Sequence, residues 1–102
     1  MNVARRGTLH FVIKTFLHRG LRELDSTGKS ALIPPQLIAR CKIRLDALQA
    51  ATSLGQLNVA GFNFHPSRRK PQRYSIHVNG PWAITFEWED SSALRVDLEQ
   101  YH

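Results

Sequence analysis

One cysteine, Cys41, is the whole thiol content of this 102-residue chain. A lone thiol excludes an intrachain disulfide and a cysteine-built zinc site, and it suits a cytosolic protein. Long apolar runs are missing too: none approaches the ~20 residues that a membrane-spanning helix needs. Residues 1–9 carry Arg5 and Arg6, but the apolar stretch behind them is too short for a signal peptide. The five histidines show neither HxxxH nor HExxH spacing, so no metal site and no cofactor is expected. Acidic residues are scarce. Eight Asp and Glu face fourteen Lys and Arg, for a formal charge of +6 and a pI near 10.3. That imbalance attracts phosphate backbones or an acidic partner and carries no information about fold. No internal repeat and no low-complexity segment is present.

What remains is a chain long enough for one hydrophobic core. Its 42% hydrophobic content separates it from disordered sequences. Residues 74–102 organise it. Tyr74, Ile76 and Val78 alternate with Ser75, His77 and Asn79, and Asn79-Gly80-Pro81 then breaks the chain. Trp82, Ile84, Phe86 and Trp88 alternate with Ala83, Thr85, Glu87 and Glu89 up to a second turn at Glu89-Asp90-Ser91-Ser92. Leu94, Val96 and Leu98 then alternate with Arg95, Asp97 and Glu99. Period-two alternation with aromatic and β-branched residues on one side predicts half-buried strands. Three such runs joined by short turns predict an antiparallel meander with one apolar and one polar face. Counting straight through, the polar face holds Ser75, His77, Asn79, Thr85, Glu87, Arg95, Asp97, Glu99 and Tyr101.

Upstream, residues 1–11 read as a flexible basic extension and residues 12–102 as the folded domain. The stretch 11–16, Phe-Val-Ile-Lys-Thr-Phe, has strand composition and could add an edge to the meander. Leu17, Leu21 and Leu24 fall at helical spacing, and Gly28 suits a helix stop. Pro34-Pro35 opens a second helix, where Ile38, Cys41, Leu45 and Leu48 form one apolar stripe and Gly55 is a candidate stop. Cys41 lies in that stripe and reads as a small core residue, not a nucleophile. Arg40 and Arg44, four apart, read as a solvated helix face. The order of elements implies an α+β domain, with two N-terminal helices packed on an antiparallel sheet of about four strands.

The loop 57–73 is the chemically dense segment. His65, Arg68, Arg69, Lys70 and Arg73 fall within nine residues and are interrupted by Pro66 and Pro71. A solvated basic turn is the ordinary fate of such a run. Arginines can also grip a phosphate bidentately, and an imidazole beside them can move a proton near neutral pH.

Three stretches resemble the RelE/ParE superfamily, and within it the HigB-type toxins of bacterial type II toxin–antitoxin modules. They are VIKTFLHRGLREL, LDALQAATSLGQL and, most specifically, FHP…YSIHVNGPWAITFEWED…VDLEQYH. The likeness covers residues 12–102. Residues 1–11 fall outside it, so translation starting near Val12 is an expectation. The resemblance implies a RelE-like, microbial-RNase-like fold and ribosome-dependent cleavage of mRNA in the A site. It also implies neutralisation by a HigA-like antitoxin whose helix-turn-helix domain alone contacts operator DNA, a cytoplasmic location and no membrane partner. By the same resemblance His65, Tyr101 and His102 would be catalytic, and Arg68, Arg69, Lys70 and Arg73 would hold RNA phosphate. Two positions depart from the family pattern. Gln100 replaces an aspartate of the tail with a neutral amide, and Ala83 replaces an arginine that commonly follows the strand tryptophan.

Cleavage without a metal needs a base for the 2′-OH, an acid for the departing 5′ oxygen, and cations for the phosphoryl charge. His65 and His102 suit proton transfer because an imidazole titrates at about 6.5. Tyr101 suits a hydrogen bond or a stacking surface. Gln100 and Ala83 keep two other readings open: a non-enzymatic, ParE-like toxin acting on DNA gyrase, or a decayed toxin acting only as an antitoxin-binding co-repressor.

Overall fold

The computed structural model describes residues 12–100. Phe11, the extension before it, Tyr101 and His102 lie outside the described residues. The alternating segments form the expected meander: β2 (Tyr74–Asn79), β3 (Trp82–Glu89) and β4 (Ser92–Gln100), preceded by a two-residue strand β1 (His65–Pro66). All neighbours are antiparallel, in the order β1-β2-β3-β4. Ile76 faces Ile84, which faces Leu98, so one row of aliphatic side chains crosses the three long strands on the core side.

The β3–β4 turn is as short as a hairpin allows. Glu89 pairs with Ser92, and the two residues between them, Asp90 and Ser91, have φ of 53° and 63°. Left-handed values at both centres match the right-handed twist of the flanking strands. Asparagine or aspartate tolerates that conformation, whereas serine is disfavoured there.

β4 does not keep a straight parity. Thr85 pairs with Asp97 but Glu87 pairs with Leu94, so Arg95 and Val96 together oppose Phe86. Arg95 takes φ 48°, and the extra residue reverses the alternation on its N-terminal side. Ala93, Val96 and Leu98 therefore belong to the core, while Leu94 shares the other face with Glu87. The straight count through Leu94, Val96 and Leu98 is corrected at Leu94.

The same bulge receives the N-terminal segment. The N–H of Arg95 donates to Thr15 Oγ1 at 2.8 Å, and that of Val96 donates to the Thr15 carbonyl at 3.1 Å. Ile13 and Phe16 make isolated parallel bridges to Ala93 and Val96. The expected edge strand thus reduces to two bridges, because the bulge breaks the regular row of β4 donors. The fourth strand of the sheet comes instead from the loop, at the opposite edge.

Helix α1 (Arg19–Thr27) buries Leu21 and Leu24, while Leu17 stays outside it and exposed. His18 caps it, its Nδ1 accepting from the Leu21 N–H at 3.2 Å, and Gly28 closes it at φ 82°. A 3₁₀ turn (Pro35–Leu37) leads into α2 (Ile38–Ala50), which buries Cys41, Leu45 and Leu48 as the stripe requires. Gly55 falls in a separate 3₁₀ turn (Leu54–Leu57), after the helix has ended. Both helices pack on the apolar sheet face around Phe86, Ile76, Ile84 and Val96.

Burial pushes the Cys41 thiol up to about 11 against the lowering charge of Arg44, which leaves it an inert packing group. Arg44 is the second correction. It is buried, not solvated: Nε donates to the His77 carbonyl at 2.9 Å, Nη2 donates to the Gly61 carbonyl at 3.3 Å, and the guanidinium lies 4.6 Å from the Phe62 ring centre. It bolts the loop leading to β1 onto α2 and β2.

Ser91→Gly is expected to raise the unfolding free energy by roughly 1 kcal/mol, since glycine adopts the left-handed turn without the side-chain clash. Urea denaturation measures it, and a lower midpoint would contradict the turn described.

Candidate functional site

A row of aromatic rings supports the base of the loop. Phe64 stacks on Tyr74 at 5.8 Å and 12°, and Tyr74 leans on buried Phe86 at 5.9 Å. Pro66 pairs with Tyr74, and the Ser67 N–H donates to the Arg73 carbonyl at 2.8 Å, which closes the neck of a loop over residues 67–73. Gln72 Nε2 donates to the carbonyls of Ser67 and Arg73, each at 2.8 Å.

His65 stands at that neck, exposed and paired with Ser75 across the β1–β2 ladder. Its Nδ1 is 2.8 Å from the Asn63 carbonyl. A carbonyl only accepts, so Nδ1 carries the proton and Nε2 holds the lone pair of the neutral ring. Nε2 lies 3.4 Å from Ser75 Oγ. The Asn63 carbonyl thus orients the ring, with Nε2 on the side of the polar sheet face, beside Ser75.

The cations of the loop divide into two groups. Arg68 and Lys70 are exposed, and neither makes a salt bridge to a described residue. Arg69 and Arg73 are committed to the sheet. Arg69 Nη2 meets Glu99 Oε1 at 2.9 Å. Residue 69 follows the edge strand β1, whereas Glu99 lies on β4, three strand spacings or roughly 14 Å away. The contact therefore carries the Arg69 side chain across the polar face.

Arg73 crosses the same face and is only 7% exposed. Its Nη1 pairs with Glu87 Oε2 at 3.2 Å, and its Nη2 donates to Thr85 Oγ1 at 3.0 Å and to the Arg95 carbonyl at 2.9 Å. Glu87 is in turn held by Arg95 at 3.0 Å, and the Thr85 hydroxyl donates to Glu99. The face expected to be solvated is thus sealed at its centre: Thr85 and Ser75 are each 2% exposed. Of the residues expected to hold phosphate, Arg68 and Lys70 face solvent, Arg69 is exposed but ion-paired, and Arg73 is buried on protein acceptors. Tyr101 and His102 lie outside the described residues. They follow directly on Gln100, which pairs with Trp82.

The residues that sequence reasoning passed over are Thr85, Glu87 and Glu99. A signal existed: all three share the polar parity, and their strands lie beside a loop rich in arginine. Burial on its own raises the Glu99 carboxyl. The hydrogen bonds from Thr85 and Arg69, with the charges of Arg69 and Arg73, outweigh it and hold the group below its ordinary value.

Two helices lie on one face of an antiparallel sheet, and a loop rich in cations reaches over the other, an α+β arrangement that accords with a RelE-like toxin. The family profile described as the RelE-like toxin of type II toxin–antitoxin system HigB matches residues 14–102, and the chain belongs to that family. Membership implies an antitoxin as its partner. The chain is also similar to Endoribonuclease HigB of Proteus vulgaris, 36% identical over 92 residues that cover 89% of this chain and all of that protein.

Removing Arg73 leaves Glu87 to Arg95 alone and takes the buried donor from Thr85 and from the Arg95 carbonyl. Arg73→Ala is accordingly expected to cost about 3 kcal/mol or more, seen in chemical denaturation. A variant as stable as the parent would mean that Arg73 is not buried as described. The depressed Glu99 pKa predicts a contribution fully present above the ordinary value of 4.5 and lost as pH falls through the lowered folded value. Stability measured against pH should therefore fall less steeply in acid for Glu99→Gln than for the parent. Parallel curves would remove Glu99 from the network.

Proposed function

We propose that the chain is an endoribonuclease that cuts mRNA on the ribosome, by acid–base chemistry in which His65 takes part. The observation that carries the reading is the oriented His65 imidazole beside the exposed Arg68 and Lys70, in a chain similar along its length to a protein named an endoribonuclease. In this reading His65 and His102 exchange protons with the 2′-OH and the leaving 5′ oxygen. Which of them is the base depends on how the RNA lies. Arg68, Lys70 and the outer face of Arg69 neutralise the phosphoryl oxygens, and Tyr101 offers a hydrogen bond or a ring for a base to stack on. Arg73 supports the loop from below. The cognate antitoxin, HigA-like, would shield the basic loop or a flank of the sheet, with opposite charge speeding its capture.

Brief induction followed by primer extension on cellular mRNAs tests this. The parent should cut within translated codons only. His65→Ala and deletion of His102 should each lower cleavage by about 10²–10⁴-fold. Joint replacement of Arg68 and Lys70 by alanine should weaken RNA binding and flatten its dependence on salt. Toxicity unchanged in both histidine variants would overturn the mechanism. Intact mRNA with failing supercoiling would mark a gyrase toxin, and expression without a growth defect would mark a co-repressor.

A further inference from the structure

We propose that Glu99 is a positioning residue of the cleavage site. One of its carboxylate oxygens takes a hydrogen bond from Arg69 and the other takes one from Thr85, which clamps the basic loop to the strand that leads into the Tyr101–His102 tail. Among the described residues this is the contact that ties the tip of the loop to the sheet. The bonds of Ser67, Gln72 and the Arg69 backbone all close within the loop itself. Glu99 is 27% exposed and Arg69 48% exposed, so the pair is only partly screened by water. Thr85 beneath it is 2% exposed and also receives Arg73, so the anchor cannot drift sideways.

An acid placed beside a phosphate site would ordinarily repel RNA. Here its charge is taken up by Arg69, with Arg73 close by. The net effect is a loop held in one shape before RNA arrives. Ordering long cationic side chains in advance lowers the entropy lost on binding and keeps the reacting groups aligned. The catalytic part of the inference rests on the nuclease reading above; the clamp itself does not.

Two measurements on the full chain separate these. Trypsin under native conditions cuts after Arg68 and Arg69 once the loop is loose. Glu99→Gln should speed those two cuts about tenfold while cuts after Arg40 and Lys42 in α2 keep their parental rate. Unchanged loop cleavage, or equal acceleration at both places, overturns the clamp. In RNA cleavage, Glu99→Gln should lower kcat about tenfold without raising KM, because losing an acid strengthens attraction to phosphate. The double variant Arg69→Ala/Glu99→Gln should be no worse than Arg69→Ala alone. Full activity, or losses that simply add, overturns the positioning role. Should Glu99→Gln fail to fold, Glu99→Asp keeps the charge and shortens the reach; it is read by the same loop-to-helix ratio and the same double-variant comparison. If the parent cuts no RNA, the nuclease reading falls, and the trypsin ratio still decides the clamp.

Discussion

A guanidinium taken out of water must find acceptors for its donors, and that requirement on Arg73 shapes one whole face of the molecule. Glu87, Thr85 and the Arg95 carbonyl meet it at the two terminal nitrogens, while Nε is buried with no hydrogen-bond partner among the described residues. Together they bring the residue before β2, the middle of β3 and the bulge of β4 to one point. Glu87 then takes Arg95 as a second cation, and Thr85 passes its hydroxyl proton toward Glu99. The arrangement works as a set. Each carboxylate is held by at least one arginine, and each buried arginine has an acid or a carbonyl. An isolated surface ion pair is worth little, whereas a partly buried chain of them fixes geometry.

The consequence reaches the site through division of labour among the cations. Arg73 and Arg69 serve the protein, and Arg68 and Lys70 face outward. A run of basic residues that looks uniform in one dimension is thereby separated into a supporting layer and a presenting layer. The His65 ring sits at the neck where both layers meet the sheet, with its Nδ1 proton already directed to a backbone carbonyl. Pairing the inner arginines with Glu87 and Glu99 lets the chain keep Arg68 and Lys70 exposed while the buried charges of the face stay compensated.

The bulge at Arg95 is the second structural device. It turns two N–H groups, those of Arg95 and Val96, toward Thr15, docks the N-terminal segment beside β4, and delivers the Arg95 carbonyl to Arg73. It also moves Leu94 to the face opposite the core. One left-handed residue thus joins the apolar packing of the sheet to the charged network above it.

Local pattern was sufficient wherever burial follows chain periodicity. The three long strands, the α2 stripe with Cys41 in it, the stop at Gly28 and the α+β class all follow from alternation, helical spacing and turn chemistry, which act over a few residues. The family resemblance rested on the same local stretches, and the tryptophan strand carries it. Tertiary structure alone decided the rest. Arg44 and Arg73 are buried because backbone carbonyls and an acid from distant segments converge on them, and nothing in the neighbouring residues encodes that convergence. The short strand at His65 exists only because β2 offers it an edge. The parity of Leu94 depends on an unpaired count between two strands, which no single strand contains. Glu99, to the eye one more acid on a solvated strand, becomes the loop's anchor because an arginine thirty residues earlier folds back onto it.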